Sequence, residues 1–543
     1  MKLLSSLQIS CLKVPAKLSN GSDDAIYRLP DGFIFGAGSS SYQVEGAWDE
    51  DGKGVSQIDH FFHSAGRLNG DIADDSYHKY KEDVRLLKEL KVNAYRFSLS
   101  WSRLLPTGEL ENANKAGVRY YKNLIQELLD NNITPIVTLY HLEHPQISED
   151  RFQGWLGYEI VEYFEKYAMF AFQTFGDQVK WWTTLNEPHI FATLVYGYGD
   201  IPRESNDGLE SRSSDFDLSG INRFGKRSPG RDEYLTVHHM ILAHARAYRL
   251  NHKQFAEQGG RVGISLESYF ARPKTSRYED IQAAERRNTF ELGWVADPLL
   301  RGDYPPLMRR TVDAKCAEEG LQESRLPSFT QAEKMLINGT LDFLGLNAYF
   351  GLDATDGTPV SAGNPSYDRD SGVLALHPDD PPTGERPACT YSHATPWSIR
   401  ESLLWLRDRY GDISIMVTEN GIGSYPEDGL DDHHRQVYLS GYLRQMLRAI
   451  HEDKCNVIGY IAWSLLDSFE WESYDNRFGL VRVDHDSPNK TRTLKMSGQL
   501  VQKIMTERFV PEVLSSGAGD RVASSAIVSV FLAVLIQLYQ MEL

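Results

Sequence analysis

Several things are scarce in this sequence of 543 residues, and each scarcity removes a class of function. Only four cysteines occur, Cys11, Cys316, Cys389 and Cys455, with no Cys-x-x-Cys spacing. A disulfide framework and a zinc site are therefore unsupported, while a single disulfide among the last three stays open. Basic residues are outnumbered, 57 Lys and Arg against 75 Asp and Glu, for a net charge of −18. That disfavours nucleic acid as a partner, because phosphate binding relies on clustered Lys and Arg. The histidines, His238 and His239 included, form no set at metal-ligand spacing. No glycine-rich dinucleotide loop follows the first strand-like run. The apolar stretch 526–539, interrupted by Gln537, falls short of the roughly 20 residues a bilayer-spanning helix needs.

The two ends differ from the rest. Residues 1–29 form an N-terminal segment whose weak apolar stretch and single early lysine make at best a poor secretory signal. Residues 512–543 form a C-terminal tail with small residues at Ser515, Ser516, Gly517, Ala518 and Gly519, a polar spacer to Ser525, and then the apolar run. That order is the pattern of a GPI-attachment signal, with a short transmembrane anchor or an inert tail as alternatives. The expectation is a secretory, extracellular or cell-surface protein, cytoplasmic if the leader does not function. Sequons at Asn20, Asn338 and Asn489 agree with a glycoprotein but decide little in so long a chain.

Between the ends, residues 30–511 alternate short apolar runs with amphipathic segments. Strands are expected over 33–37, 92–99, 133–140, 179–185, 262–266, 343–349, 413–418 and 457–463. Helical periodicity covers 75–90, 118–129, 157–175, 233–250, 399–410 and 432–451. Buried runs separated by crossover helices imply a parallel sheet. Eight of them favour a single (β/α)₈ TIM barrel over an open doubly wound sheet. Two connections, 201–230 and 351–396, look like enlarged loops over the barrel mouth, without secondary structure of their own.

Two of these runs end in the same way. The fourth leads into Asn186-Glu187-Pro188 and the seventh into Thr418-Glu419-Asn420-Gly421. A glutamate closing a buried strand needs a partner or a task, since burial disfavours its charge. Strands four and seven face one another across a barrel, and active sites gather at strand C-terminal ends. Paired carboxyl groups in one cavity are the equipment of a glycosidase. A strand-end glutamate taken alone is more often a structural ion-pair member.

The motifs around both carboxyls resemble those of family 1 glycoside hydrolases, the β-glucosidase family. Ser41-Tyr42-Gln43-Val44-Glu45-Gly46, Tyr95-Arg96-Phe97-Ser98 with Trp101, Tyr140-His141, Asn347 with Tyr349, and the run from Ala462 to Trp471 agree with it in order. The resemblance implies a retaining β-glycosidase acting on a small-molecule β-glycoside without metal or cofactor. Glu187 would be the acid/base and Glu419 the nucleophile, supported by Arg96, Asn186 and Tyr349. Gln43, His141, Asn186, Asn347, Tyr349, Trp463, Glu470 and Trp471 would hold the sugar. A glucosinolate-cleaving thioglucosidase or a transglycosidase on the same site is the first alternative, and a klotho-like non-catalytic surface receptor is another. Retention of Glu187 argues against the plant-type thioglucosidase, and retention of both glutamates against the receptor. Two departures, His141-Leu142-Glu143-His144-Pro145 and the shortened Glu472-Ser473-Tyr474, are expected to bear on the sugar or the cavity rim.

Overall fold

The computed structural model describes residues 24–197, 228, 230–358, 365–378, 394–471 and 473–515. Eight parallel strands close into one barrel: β1 Ile34–Gly38, β2 Ala94–Ser98, β3 Thr134–Tyr140, β4 Trp181–Asn186, β5 Arg261–Ser268, β6 Phe343–Ala348, β7 Ile415–Asn420 and β8 Val457–Ala462. Each pairs with its neighbours in sequence, and β1 closes the ring on β8. All eight expected strands are present at nearly the expected bounds.

The strands are apolar on both faces because the outer face meets helices and the inner face fills the barrel. Outside lie α1 Ser76–Glu89, α2 Lys115–Asp130, α3 Glu159–Phe175, α4 Asp232–Gln254, α5 Trp397–Tyr410 and α6 His433–His451. Inside, Ala94, Ile136, Phe343, Met416 and Ile461 make an apolar plug. Two residues further along β2, β3 and β7 the same inward face turns polar, with Arg96, Thr138 and Thr418. Period-two alternation thus puts an apolar floor under a polar mouth.

Two strands break that alternation where it matters. Counting from Met416 and Thr418, strict alternation would send Glu419 outward. The pairing of β7 with β6 slips between Val417 and Glu419, and its pairing with β8 slips between Val417 and Asn420. The pairing of β4 with β5 likewise slips between Thr183 and Asn186. Such irregularities re-aim side chains, and here they turn Asn186 and Glu419 into the mouth. Gly421 then lets the end of β7 pass against the carbonyl of Trp463, where any Cβ would collide.

The loop expectations need correction. Most of 201–230 lies outside the described residues. The described part of 351–396 is not structureless: Leu352–Asp356 pairs with Ala271–Pro273 and with Val373–Leu376 in a small sheet, with a helix at Tyr367–Ser371. Cys316 and Cys455 are buried and free, while Cys11 and Cys389 lie outside the described residues. Among the described residues no helix is long and apolar enough to cross a membrane, and the run 526–539 is not among them.

Candidate active site

Pro188 ends β4 as its ring demands and opens a short helix, Pro188–Ala192. Between strand and helix, Glu187 takes a left-handed conformation, φ 47° and ψ 58°, unusual for a residue other than glycine. Its amide donates to the carbonyl of Ser265 at 2.9 Å, which fixes the turn against β5. The side chain accepts a 2.6 Å hydrogen bond from Asn347 Nδ2. Burial pushes this carboxyl up to about 8, the charge of Glu419 adds to the shift, and Asn347 and Arg96 oppose it.

Glu419 has the opposite surroundings. It is 3% exposed, and both its oxygens are satisfied. Oε1 accepts from Arg96 Nη1 at 2.6 Å and Oε2 from the Tyr349 hydroxyl at 2.6 Å. The Arg96 guanidinium also donates to Asn186 Oδ1 at 2.6 Å and to Ser265 Oγ at 3.3 Å. Asn347 Nδ2 donates to Asn186 Oδ1 at 3.1 Å, and Thr418 Oγ1 donates to Asn347 Oδ1 at 2.6 Å. One buried cation thereby ties the two motif ends together, with charge-assisted bonds to the carboxylate.

His141, Trp463 and Glu470, among the residues expected to hold the sugar, lie near this pair. His141, at the end of β3, lies flat against Trp463 with ring centroids 5.6 Å apart, and its Nε2 is 3.5 Å from Asn186 Nδ2. Burial and the neighbouring Arg96 hold its imidazole well below the usual range, hence neutral. Among the described residues its Nδ1 has no partner. Gln43 accepts from Ser40 Oγ at 2.7 Å, and its buried Nε2, without a close partner among the described residues, interacts with the Glu470 carboxyl. Glu470 accepts from Ser468 Oγ at 3.0 Å and is pushed up to about 8 by burial. Unsatisfied buried donors beside a neutral carboxyl suit a ligand rich in hydroxyl groups. Trp471 packs parallel to Tyr42, with ring centroids 6.4 Å apart.

The sequence reading gave no role to four residues. Ser265 and Thr418 act as fixed partners within the network, and Glu267 adds a further carboxyl on β5. Glu143 is 2% exposed and accepts from Ser100 at 2.7 Å, Ser102 at 2.5 Å and Ser41 at 3.1 Å. At the neighbouring departure, Leu142 has φ 64° and is buried in the hydrophobic core. Of the shortened segment, Glu472 is outside the described residues, and the Tyr474 hydroxyl donates to the carbonyl of Asn69 at 3.0 Å. His238 bonds the Tyr304 hydroxyl and His239 the Trp155 carbonyl, which accounts for both as structural residues.

This arrangement can deliver a proton from one carboxyl and an electron pair from the other into a single polar cavity. Comparison with known proteins agrees. Residues 26–509 match the model of glycosyl hydrolase family 1. Over 486 residues the chain is 41% identical to myrosinase 1 of Brevicoryne brassicae, covering 87% of this chain and 97% of that one. It is 42% identical over 494 residues to a human lactase-like protein, covering 89% and 82% of the two chains. Among solved structures, a rice β-glucosidase in covalent complex with glucose superposes with a TM-score of 0.77 at 36% identity, covering 87% of this chain and 98% of that one. Matched across its barrel and carrying both strand-end glutamates, the chain belongs to glycosyl hydrolase family 1.

Proposed function

We propose that the protein hydrolyses β-glucosides, with β-galactosides and β-fucosides as further substrates, by a double displacement that retains the anomeric configuration. The observation that carries this reading is the asymmetry of the two carboxyls. Glu419 is held by a guanidinium and a phenol, whereas among the described residues no cation hydrogen-bonds Glu187, which keeps its proton to about 8. Glu187 donates that proton to the glycosidic oxygen as the Glu419 carboxylate bonds to the anomeric carbon and the aglycone leaves. Water then attacks the same carbon, gives a proton to Glu187 and releases Glu419 as carboxylate. Contacts from Asn186 to the sugar strengthen as positive charge develops on the ring.

A glucosinolate is the second substrate class, favoured by the 41% identity to an aphid myrosinase. The test is a panel of aryl β-glucoside, β-galactoside, β-fucoside and a glucosinolate offered to protein truncated before Ser515. Turnover of the β-glucoside is expected. Folded protein that turns over none of them would favour a receptor. For the tail, the sequence pattern of small residues, spacer and apolar run supports exchange for a GPI anchor. Release from cells by a phosphatidylinositol-specific phospholipase checks it, and retention on the membrane would contradict it.

A further inference from the structure

The segment 463–470 follows β8 and carries Trp463 and Glu470, and a buried cation near the end of the chain holds it. Lys495 Nζ donates to Asp467 Oδ1 at 2.6 Å and to Ser424 Oγ at 3.4 Å. Asp467 lies three residues before Glu470, and Ser424 five residues after Glu419, so one ammonium joins the loops that follow β7 and β8. The same Asp467 oxygen accepts the amide of Gly479 at 2.9 Å, and the Asp467 amide donates to the carbonyl of Val481 at 2.9 Å. From Asp467 the chain runs straight into the sugar site. Ser468 Oγ donates to Glu470 Oε1 at 3.0 Å, and the amide of Phe469 donates to the carbonyl of Gln43 at 3.1 Å. The backbone of Lys495 reaches the same segment, its amide donating to Leu480, whose own amide donates to Ser464.

Local structure gives no reason for a lysine here. Lys495 stands at the N-cap of the helix Met496–Glu507, where Ser, Thr, Asp or Asn is preferred, and its side chain makes no capping bond. Its charge also sits at the positive end of the helix dipole. It is fully buried, and burial pulls its ammonium down to about 8 against the attraction of Asp467. Well-packed apolar side chains in place of such a pair often hold a fold as well or better. What the ion pair adds is direction, because a charge-assisted bond fixes where the Asp467 carboxylate lies. We propose that Lys495 is a positioning residue for sugar binding: through Asp467 it holds the segment 463–470 so that Glu470 meets the sugar hydroxyls. The proposal rests on the β-glycosidase reading and on Glu470 as a sugar contact.

The experiment measures kcat and KM for a nitrophenyl β-glucoside in wild type, Lys495→Met, Glu470→Ala and the variant carrying both. Lys495→Met is expected to raise KM about tenfold, the order of one hydrogen bond to a charged group, and to change kcat by less than about threefold. In the Glu470→Ala background the same change is expected to raise KM by less than about twofold, because the group it places is gone. An unchanged KM for Lys495→Met would overturn the proposal. So would an equal rise in both backgrounds, which marks a general loosening of the fold. Lys495→Met leaves Asp467 buried without its cation, so should it not fold, Lys495→Met combined with Asp467→Asn takes its place in the same comparison, with no charge left to bury. Glu470→Ala with the KM of the wild type would remove the sugar contact and the proposal with it. A wild-type enzyme without turnover would bring down the β-glycosidase reading beneath both, a result distinct from an unmoved KM in Lys495→Met.

Discussion

Arg96 reaches Glu419 at 2.6 Å from a position with no solvent exposure, in the floor of the polar mouth. Its other amine takes Asn186, so one side chain orients the strand ends that carry both catalytic carboxyls. Arginine suits this place because its planar fork holds two partners in fixed directions, which a lysine ammonium cannot do.

Arg96→Met would therefore leave Glu419 buried without its cation. Breaking a buried pair by removing one partner costs about 3–5 kcal/mol. The expected outcome is a large drop in the urea midpoint at neutral pH, together with loss of turnover. An unchanged midpoint would mean that the pair is not formed.

Glu187→Gln keeps the shape of the acid and removes its proton. General acid–base catalysis contributes roughly 10²–10⁴-fold, and that factor is needed only where the leaving group must be protonated. Alkyl glucosides are expected to lose rate by this order, while dinitrophenyl glucosides lose far less in the glycosylation step. Equal loss for both leaving groups, read as single-turnover rates, would contradict the acid role.

Tyr349→Phe deletes one of the two donors to the nucleophile. A hydrogen bond to a charged group contributes about 1.5–3 kcal/mol, which corresponds to roughly 10- to 100-fold in kcat/KM. Steady-state kinetics on an aryl glucoside measures it, and a fully active variant would contradict the assignment.

Glu470 gives a stability prediction whose sign follows from its raised value of about 8. The unfolded chain ionises this group near the ordinary carboxylate value, so between that value and about 8 the folded state holds the extra proton. Stability then falls as pH rises through that window. Glu470→Gln removes the penalty: its melting temperature should exceed that of the wild type at pH 8 and match it at pH 4, while KM for the glucoside rises. A constant difference across pH would refute the linkage.

How much of this was legible in the sequence depends on which physical signal each part leaves. Barrel strands are buried on both faces and so appear as short, largely apolar runs, which is why all eight could be placed. The helix Tyr278–Asn288 carries the charged string Glu285-Arg286-Arg287 and little apolar stripe. The next one, Trp294–Arg301, continues from a π-helical segment and contains Pro298, which reads in sequence as a helix breaker. Glu187 and Glu419 were legible from their motifs, but the register slips that aim Asn186 and Glu419 inward leave no trace in composition. Glu267 follows Leu266 as one acid at the end of an apolar run, and only the barrel's closure shows that it sits in register with Asn347.

The central claim is retention through Glu419, and the stereochemistry of the first product tests it most directly. Proton NMR during the first minutes of aryl β-glucoside hydrolysis distinguishes the anomers before mutarotation mixes them. The account predicts that β-glucose appears first and the α-anomer only later. α-Glucose as the first product would mean inversion by direct attack of water, and the role given to Glu419 would be wrong.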